Sequence, residues 1–150
     1  IYSSVRALSA HRPGDRPMAL DFRTIGLTAL IETGGRVVVN PGTDAVPLPR
    51  PAVAALAQGD QWLPAWRDVA LRDLLFDEAN AVCSAITDLS ITYAGGGLTR
   101  VIVSVERSCF TEAANASAMK QSLTQALSHV GANRRLIASA DRVEIAPILV

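Results

Sequence analysis

A chain of 150 residues, 49% apolar and 19% charged, is the size and character of one globular domain; it buries roughly 68–70% of its unfolded surface and needs no metal or disulfide staple. These values exclude a disordered chain, and no apolar run reaches the roughly 18 residues of a membrane span. Net charge is zero, which argues against a general nucleic-acid binder.

Residues 2–10 carry weak helical spacing through Val5 and Leu8. The stretch stops at His11-Arg12-Pro13-Gly14-Asp15-Arg16-Pro17, whose prolines and glycine predict a turn or an extended arm. Residues 18–40 predict a hairpin. Ile25, Leu27 and Ala29 alternate with Thr24, Gly26 and Thr28, Gly34-Gly35 supplies the reversal, and valine-rich 36–40 returns. Prolines 47, 49 and 51 make 46–50 an extended connector rather than a central strand. Pro51 suits the first turn of a short helix over 52–57 that ends at Gly59.

From 66 to 83, Ala70, Leu71, Leu74, Leu75, Ala79 and Val82 form one face of an amphipathic helix. Arg67, Asp68, Arg72, Asp73, Asp77 and Glu78 form the other. Strands are expected at 86–93 and 98–106, joined by Gly95-Gly96-Gly97. In the second, Val101, Val103 and Val105 face one way. A helix follows over 111–130, with Thr111 as N-cap, Glu112 favourable in the first turn and Gly131 as the C′ residue. Residues 142–150 return as a strand.

The segments 36–40, 66–83, 86–93, 98–106, 111–130 and 142–150 spell β-α-β-β-α-β, the ferredoxin-like split order of an α+β fold. The expected organisation is an N-terminal arm at 1–23 and a single α+β domain at 24–150, with the strand before Gly34 as an addition. That fold hosts unrelated functions and does not choose among them.

Charge is segregated along the chain. Residues 1–58 carry six arginines against four acids, and residues 91–150 carry six bases against four acids. Residues 60–90 hold two arginines against six acids. An acidic helix between basic segments can steer a protein partner or a second copy of the chain; the plainer account is a solvated face. Thirteen of the fourteen bases are arginine, which fits a GC-rich genome, bacterial or phage, and also suits an interface. Cys83 and Cys109 are expected as free thiols in a reducing compartment. Because the chain begins at Ile1, a start residue or a leader is expected to have been removed or left out, so a cleaved leader stays open.

Cys109 is the strongest single candidate for reactivity, since it precedes a helix N-terminus and lies two residues from Arg107. A nucleophilic cysteine needs a base, however, and His129 sits about 27 Å along that helix at 1.5 Å per residue. A packed, inert thiol is the simpler reading. No C-x₂-C or H-x₃-H spacing supports a metal, and no cofactor is expected. The triple glycine precedes a strand, so it reads as a hairpin turn and not as a phosphate cradle. Arg134 and Arg135, with Arg142 and Arg107, offer an anion patch near one end of the sheet, to which Arg100 adds a further group; solvated arginines or ion pairs are the default. Asn115-Ala116-Ser117 matches a glycosylation acceptor inside the expected helix. Trp62 and Trp66 bracket Pro64 and suit packing over a sheet edge.

With no catalytic set, segregated charge and a proline-punctuated arm, the expected role is a non-enzymatic structural, assembly or docking subunit of a larger complex, such as a virion or secretion-type machine. It would act through its sheet face, edge strand and arm. Interface candidates are Arg12, Arg16, Trp62, Trp66, Asp73, Asp77 and Glu78. The expected partner is another protein or a second copy, with no nucleic acid and no membrane, in the cytoplasm or in a particle assembled there. The alternatives are a small enzyme or ligand-binding domain using Cys109 with Arg100, Arg134 and Arg135, or an accessory domain of a longer chain.

Overall fold

Six α-helices and two separate sheets make up the computed structural model, which describes residues 1–111 and 113–150. They fall into two compact units, Ile1–Trp62 and Leu63–Val150. No helix among the described residues is long and apolar enough to cross a membrane.

In the N-terminal unit, α1 (Val5–His11) starts where the Ser4 hydroxyl accepts from the Ala7 N–H at 3.2 Å. Helix α2 (Phe22–Glu32) replaces the first strand of the expected hairpin. The Asp21 carboxylate accepts from both the N–H (2.9 Å) and the hydroxyl (2.8 Å) of Thr24, which starts a helix there. The buried positions Gly26 and Ala29, with half-buried Phe22, Ile25 and Leu30, recur at three and four residues. Leu27, which the alternation put in line with Ile25 and Ala29, is on the outside. Gly26 admits α3 (Arg50–Gln58): a Cβ on Gly26 would stand 2.8 Å from Cβ of Ala57.

Gly34 and Gly35 turn the chain out of α2 into β1 (Val37–Val39), so they do not join two strands. Strand β1 pairs antiparallel with β2 (Val46–Leu48), in the register Val37 to Leu48 and Val38 to Pro47. The residues read as a connector are thus a short edge strand that tolerates Pro47. The chain start lies along β1: the Ile1 ammonium donates to the Val38 carbonyl (2.8 Å), and the Asn40 N–H donates to the Ile1 carbonyl (2.9 Å). Helix α3 carries prolines at its cap and in its first turn, and ends at Gly59 with φ +82°, a left-handed position that glycine takes without a Cβ clash. Val53 of α3 closes the small core with Ala29, Val37, Leu30 and Leu48.

The C-terminal unit opens with a 3-10 turn, Ala65–Arg67. Asp68 then caps α4 (Val69–Val82) through the Leu71 N–H at 3.0 Å. Strands β3 (Ile86–Tyr93) and β4 (Leu98–Val105) pair antiparallel. Gly95, Gly96 and Gly97 all have positive φ, and the Ala94 N–H donates to the Leu98 carbonyl, which is a hairpin turn. A 3-10 turn, Arg107–Phe110, precedes α5 (Ala113–Ala132). The Thr111 hydroxyl donates to the Ser108 carbonyl, and the expected contribution of Glu112 lies outside the described residues. Gly131 is not a C′ residue: α5 runs through it, and a Cβ there would stand 3.2 Å from Cδ1 of Ile145.

A helix not foreseen, α6 (Arg134–Ser139), starts at Asn133, whose side-chain oxygen accepts from the N–H groups of Arg135 and Leu136. Strand β5 (Arg142–Leu149) then pairs in parallel with β4, giving the order β3-β4-β5. The strand at 36–40 does not join this sheet, because its hydrogen bonds go to β2. Leu71, Leu75 and Ala79 of α4, Ala126 and Val130 of α5 and the valines of β4 form the main core.

Candidate functional site

Each arginine proposed for anion binding takes a local position. Arg135 Nη2 lies 2.9 and 2.8 Å from the two carboxylate oxygens of Asp68, so α6 is tied to the start of α4. Arg100 pairs across β4 and β5 with Glu144 at 2.9 Å. Arg142 donates to the Gly96 carbonyl at 2.6 Å and braces the hairpin turn. Arg107 lies past the far end of β4, where its N–H donates to the Val150 carbonyl. The register sets Arg142 opposite Leu98, so Arg107 and Arg142 stand at opposite ends of the sheet. Arg134 is exposed on α6.

Cys109 is half-buried in its 3-10 turn and packs against the main core; Cys83 is buried there, with its sulfur 3.7 Å from that of Met119. His129 is in the last turn of α5, beside Glu78, Ala132 and Asn133 in a small pocket. Most of a 20-residue helix, about 30 Å long, separates it from Cys109. His11 ends α1 and meets the Tyr2 hydroxyl at 2.8 Å. Among the described residues no group of three His, Cys, Asp or Glu side chains is gathered as a metal ligand set.

The expected interface residues are likewise spread. Arg12 pairs with Asp15 at 3.1 Å, Arg72 pairs with Asp73, and Glu78 accepts from the Asn133 side chain at 3.0 Å. Asp77 is exposed on α4. The Trp66 ring stands 4.7 Å from that of Tyr93, over the outer strand β3, and Trp62 closes the N-terminal unit.

What the structure does gather is apolar surface on the N-terminal unit. The chain start, α1 and the segment leading into α2 surround a cleft of roughly 530 Å³, with Ile1, Val5, Leu8, Met18, Leu20 and Ile25 in its wall and Arg16 at its rim. Several of these side chains remain open to solvent, Met18 at 77% exposure. On α2 itself, Leu27 and Ile31 are also exposed, the latter at 85%. Exposed apolar residues occur singly on any protein, whereas the cleft gathers six apolar side chains in one wall. The Thr24 backbone and hydroxyl hydrogen bonds hold the Asp21 carboxyl below the usual carboxylate range, so the helix carrying this face begins at a charged cap.

Sequence reasoning missed Ile31 and Leu27 because the residues around them were assigned to a strand. It missed Asp68 as a cap because the helix was started three residues early. An aspartate three residues before Leu71, at the head of an apolar-periodic run, is the signal that finds the cap.

Residues 1–55 are similar to the SseB protein N-terminal domain. That stretch takes in α1, α2, β1, β2 and the first turns of α3, and so the whole of the cleft. Comparison with curated proteins and with solved structures found no match.

Proposed function

We propose that this protein is a non-enzymatic docking or assembly subunit that works by holding another protein against its N-terminal unit. The observation that carries this is the apolar cleft walled by Ile1, Val5, Met18 and Leu20, together with the exposed Leu27 and Ile31 of α2, in a unit whose own core is small. The arginines along the same segment would orient a partner without contributing much affinity. Of the surfaces expected to act, the arm segment has the strongest support. The order α4-β3-β4-α5-α6-β5 is, in this reading, the larger part of a ferredoxin-like arrangement. Two free thiols suit a cytoplasmic setting or a particle assembled there.

The test is site-specific photo-crosslinking in the native host. A photoreactive residue at position 18 or 31 is expected to give discrete protein adducts. The same residue at Thr87, an exposed polar position on β3, is expected to give none. Absence of adducts from both 18 and 31, together with a strictly monomeric chain at high concentration, refutes the proposal.

A further inference from the structure

We propose that the cleft of the N-terminal unit takes an extended peptide segment in which apolar side chains stand beside an aspartate or glutamate. The inference rests on the docking reading above and names the chemistry of the partner. Three properties of the cleft point to this occupant, and the first is its wall. Val5, Met18 and Leu20 are exposed there, so apolar groups laid across them are favoured by the area they cover. The space of roughly 530 Å³ falls within the roughly 300–1,000 Å³ of ligand clefts.

The second property is charge. Arg16 at the rim is exposed and makes no ion pair or hydrogen bond among the described residues. Its neighbour Asp15 is already held by Arg12 at 3.1 Å, and Asp21 accepts from the N–H and hydroxyl of Thr24. Residues 1–25, which surround the cleft, carry four arginines against these two acids. An anionic group is favoured at this rim and a cationic one is disfavoured. The third property is backbone. Residues 16–20 belong to no helix or strand, all are exposed, and their backbone groups make no hydrogen bond among the described residues. Pro17 has no N–H, which leaves the donors of Arg16, Met18, Ala19 and Leu20. A fatty-acyl carboxylate would cover the wall and meet Arg16, but it has nothing to offer this row. A peptide brings apolar side chains, a carboxylate and complementary backbone groups together, as main-chain recognition with side-chain pockets does.

Selection of random heptapeptides on the immobilised full chain, followed by fluorescence anisotropy with the selected sequences as free peptides, tests this. The peptides are expected to carry an acidic residue close to two or more apolar ones. Met18→Asp alters an exposed side chain outside the small core and is expected to weaken their binding roughly tenfold or more. Arg16→Glu turns an attraction between exposed groups into a repulsion and is expected to weaken it roughly fivefold. Peptides with lysine in place of the acid are expected to invert that order and bind the Arg16→Glu chain more tightly than the unaltered one. Misfolding of the variant cannot produce such an inversion. The Met18, Ala19 and Leu20 amides are expected to exchange more slowly with solvent once the acidic peptide is bound. A selection that yields no peptide sensitive to Met18→Asp, peptides without an acidic residue, or a lysine series that fails to invert overturns the inference. Sodium dodecanoate that binds through Met18 where no peptide does assigns the cleft to a lipid and overturns it as well. Photo-adducts from position 18 that contain another protein then leave the docking reading standing; without adducts from 18 or 31, and with a strictly monomeric chain, both fall.

Discussion

Replacing Arg135 with leucine should destabilise the C-terminal unit more than replacing Asp68 with asparagine, although both changes delete the same ion pair. The Asp68 side chain is 9% exposed and the Arg135 side chain 48%. Arg135→Leu leaves a carboxylate in a nearly dry site with the Leu71 N–H as its remaining neighbour in the pair's network. Stranding one partner of a fully buried pair costs about 3–5 kcal/mol, and the helix-start contacts that persist reduce this to about 2–3 kcal/mol. Asp68→Asn keeps an oxygen for the cap and strands an arginine that is half in water already. Its cost is that of a surface pair, about 1 kcal/mol. Asp68→Ala also loses the cap, adding about 1 kcal/mol. Urea unfolding, read by hydrogen exchange in the α4 peptides, confines the measurement to this unit. In a unit of this size each kcal/mol moves the melting temperature by about 4–8 °C. The reasoning is refuted if Arg135→Leu costs less than about 0.5 kcal/mol, or less than Asp68→Asn.

Three further outcomes follow. Gly26→Ala gains about 1 kcal/mol of helix propensity but places a Cβ 2.8 Å from Cβ of Ala57, which has no longer side chain to swing away. Overpacking of about 1–3 kcal/mol should win by about 1 kcal/mol, and a raised urea midpoint would contradict that. Because the Asp21 carboxyl titrates below its unfolded range, its support of α2 is complete above about pH 4 and lost as pH falls through the folded value; Asp21→Asn should flatten that acid limb, followed at the Thr24 amide by NMR. Pro147→Val returns an N–H to the outer edge of β5 and should promote higher-order self-association, measured by light scattering against the unaltered chain.

The C-terminal unit was largely legible in the sequence because its residues obey one period at a time. β4 alternates throughout, β3 does so from Leu89 after a register shift between Ile86 and Asp88, and α4 and α5 repeat at 3.6. Residues 22–32 obey two periods at once. Ile25, Leu27 and Ala29 alternate as a strand would, while Phe22, Ile25, Ala29 and Leu30 repeat as a helix would. The capping of Thr24 by Asp21 and the fit of Gly26 against Ala57 settle the choice, and the second of these is tertiary. The strand at 36–40 was recognisable, but its partner was not. Pairing with β2 rather than with the larger sheet depends on the short loop over 40–45. The exposed apolar side chains of α2 were hidden for the same reason as the helix, since Leu27 and Ile31 look like core in a strand and become surface only once α2 forms.

Two exposed apolar surfaces compete for the role of interface, and the backbone distinguishes them. Val150 both donates to the Val105 carbonyl and accepts from the Arg107 N–H, so the even-numbered residues of β5 turn their backbone toward β4. Val143, Ile145, Pro147 and Leu149 therefore turn theirs outward. A strand added there would meet three donors and a gap at Pro147, within the row, so pairing at this edge is weakened even though Val143, Ile148 and Leu149 are exposed. α2 has no such difficulty. Its backbone is satisfied within the helix, and it can offer Leu27 and Ile31 without leaving a polar group unpaired. Pro147 blunts the outer edge of β5, whereas the apolar side chains of α2 stand on a backbone that offers no free strand edge.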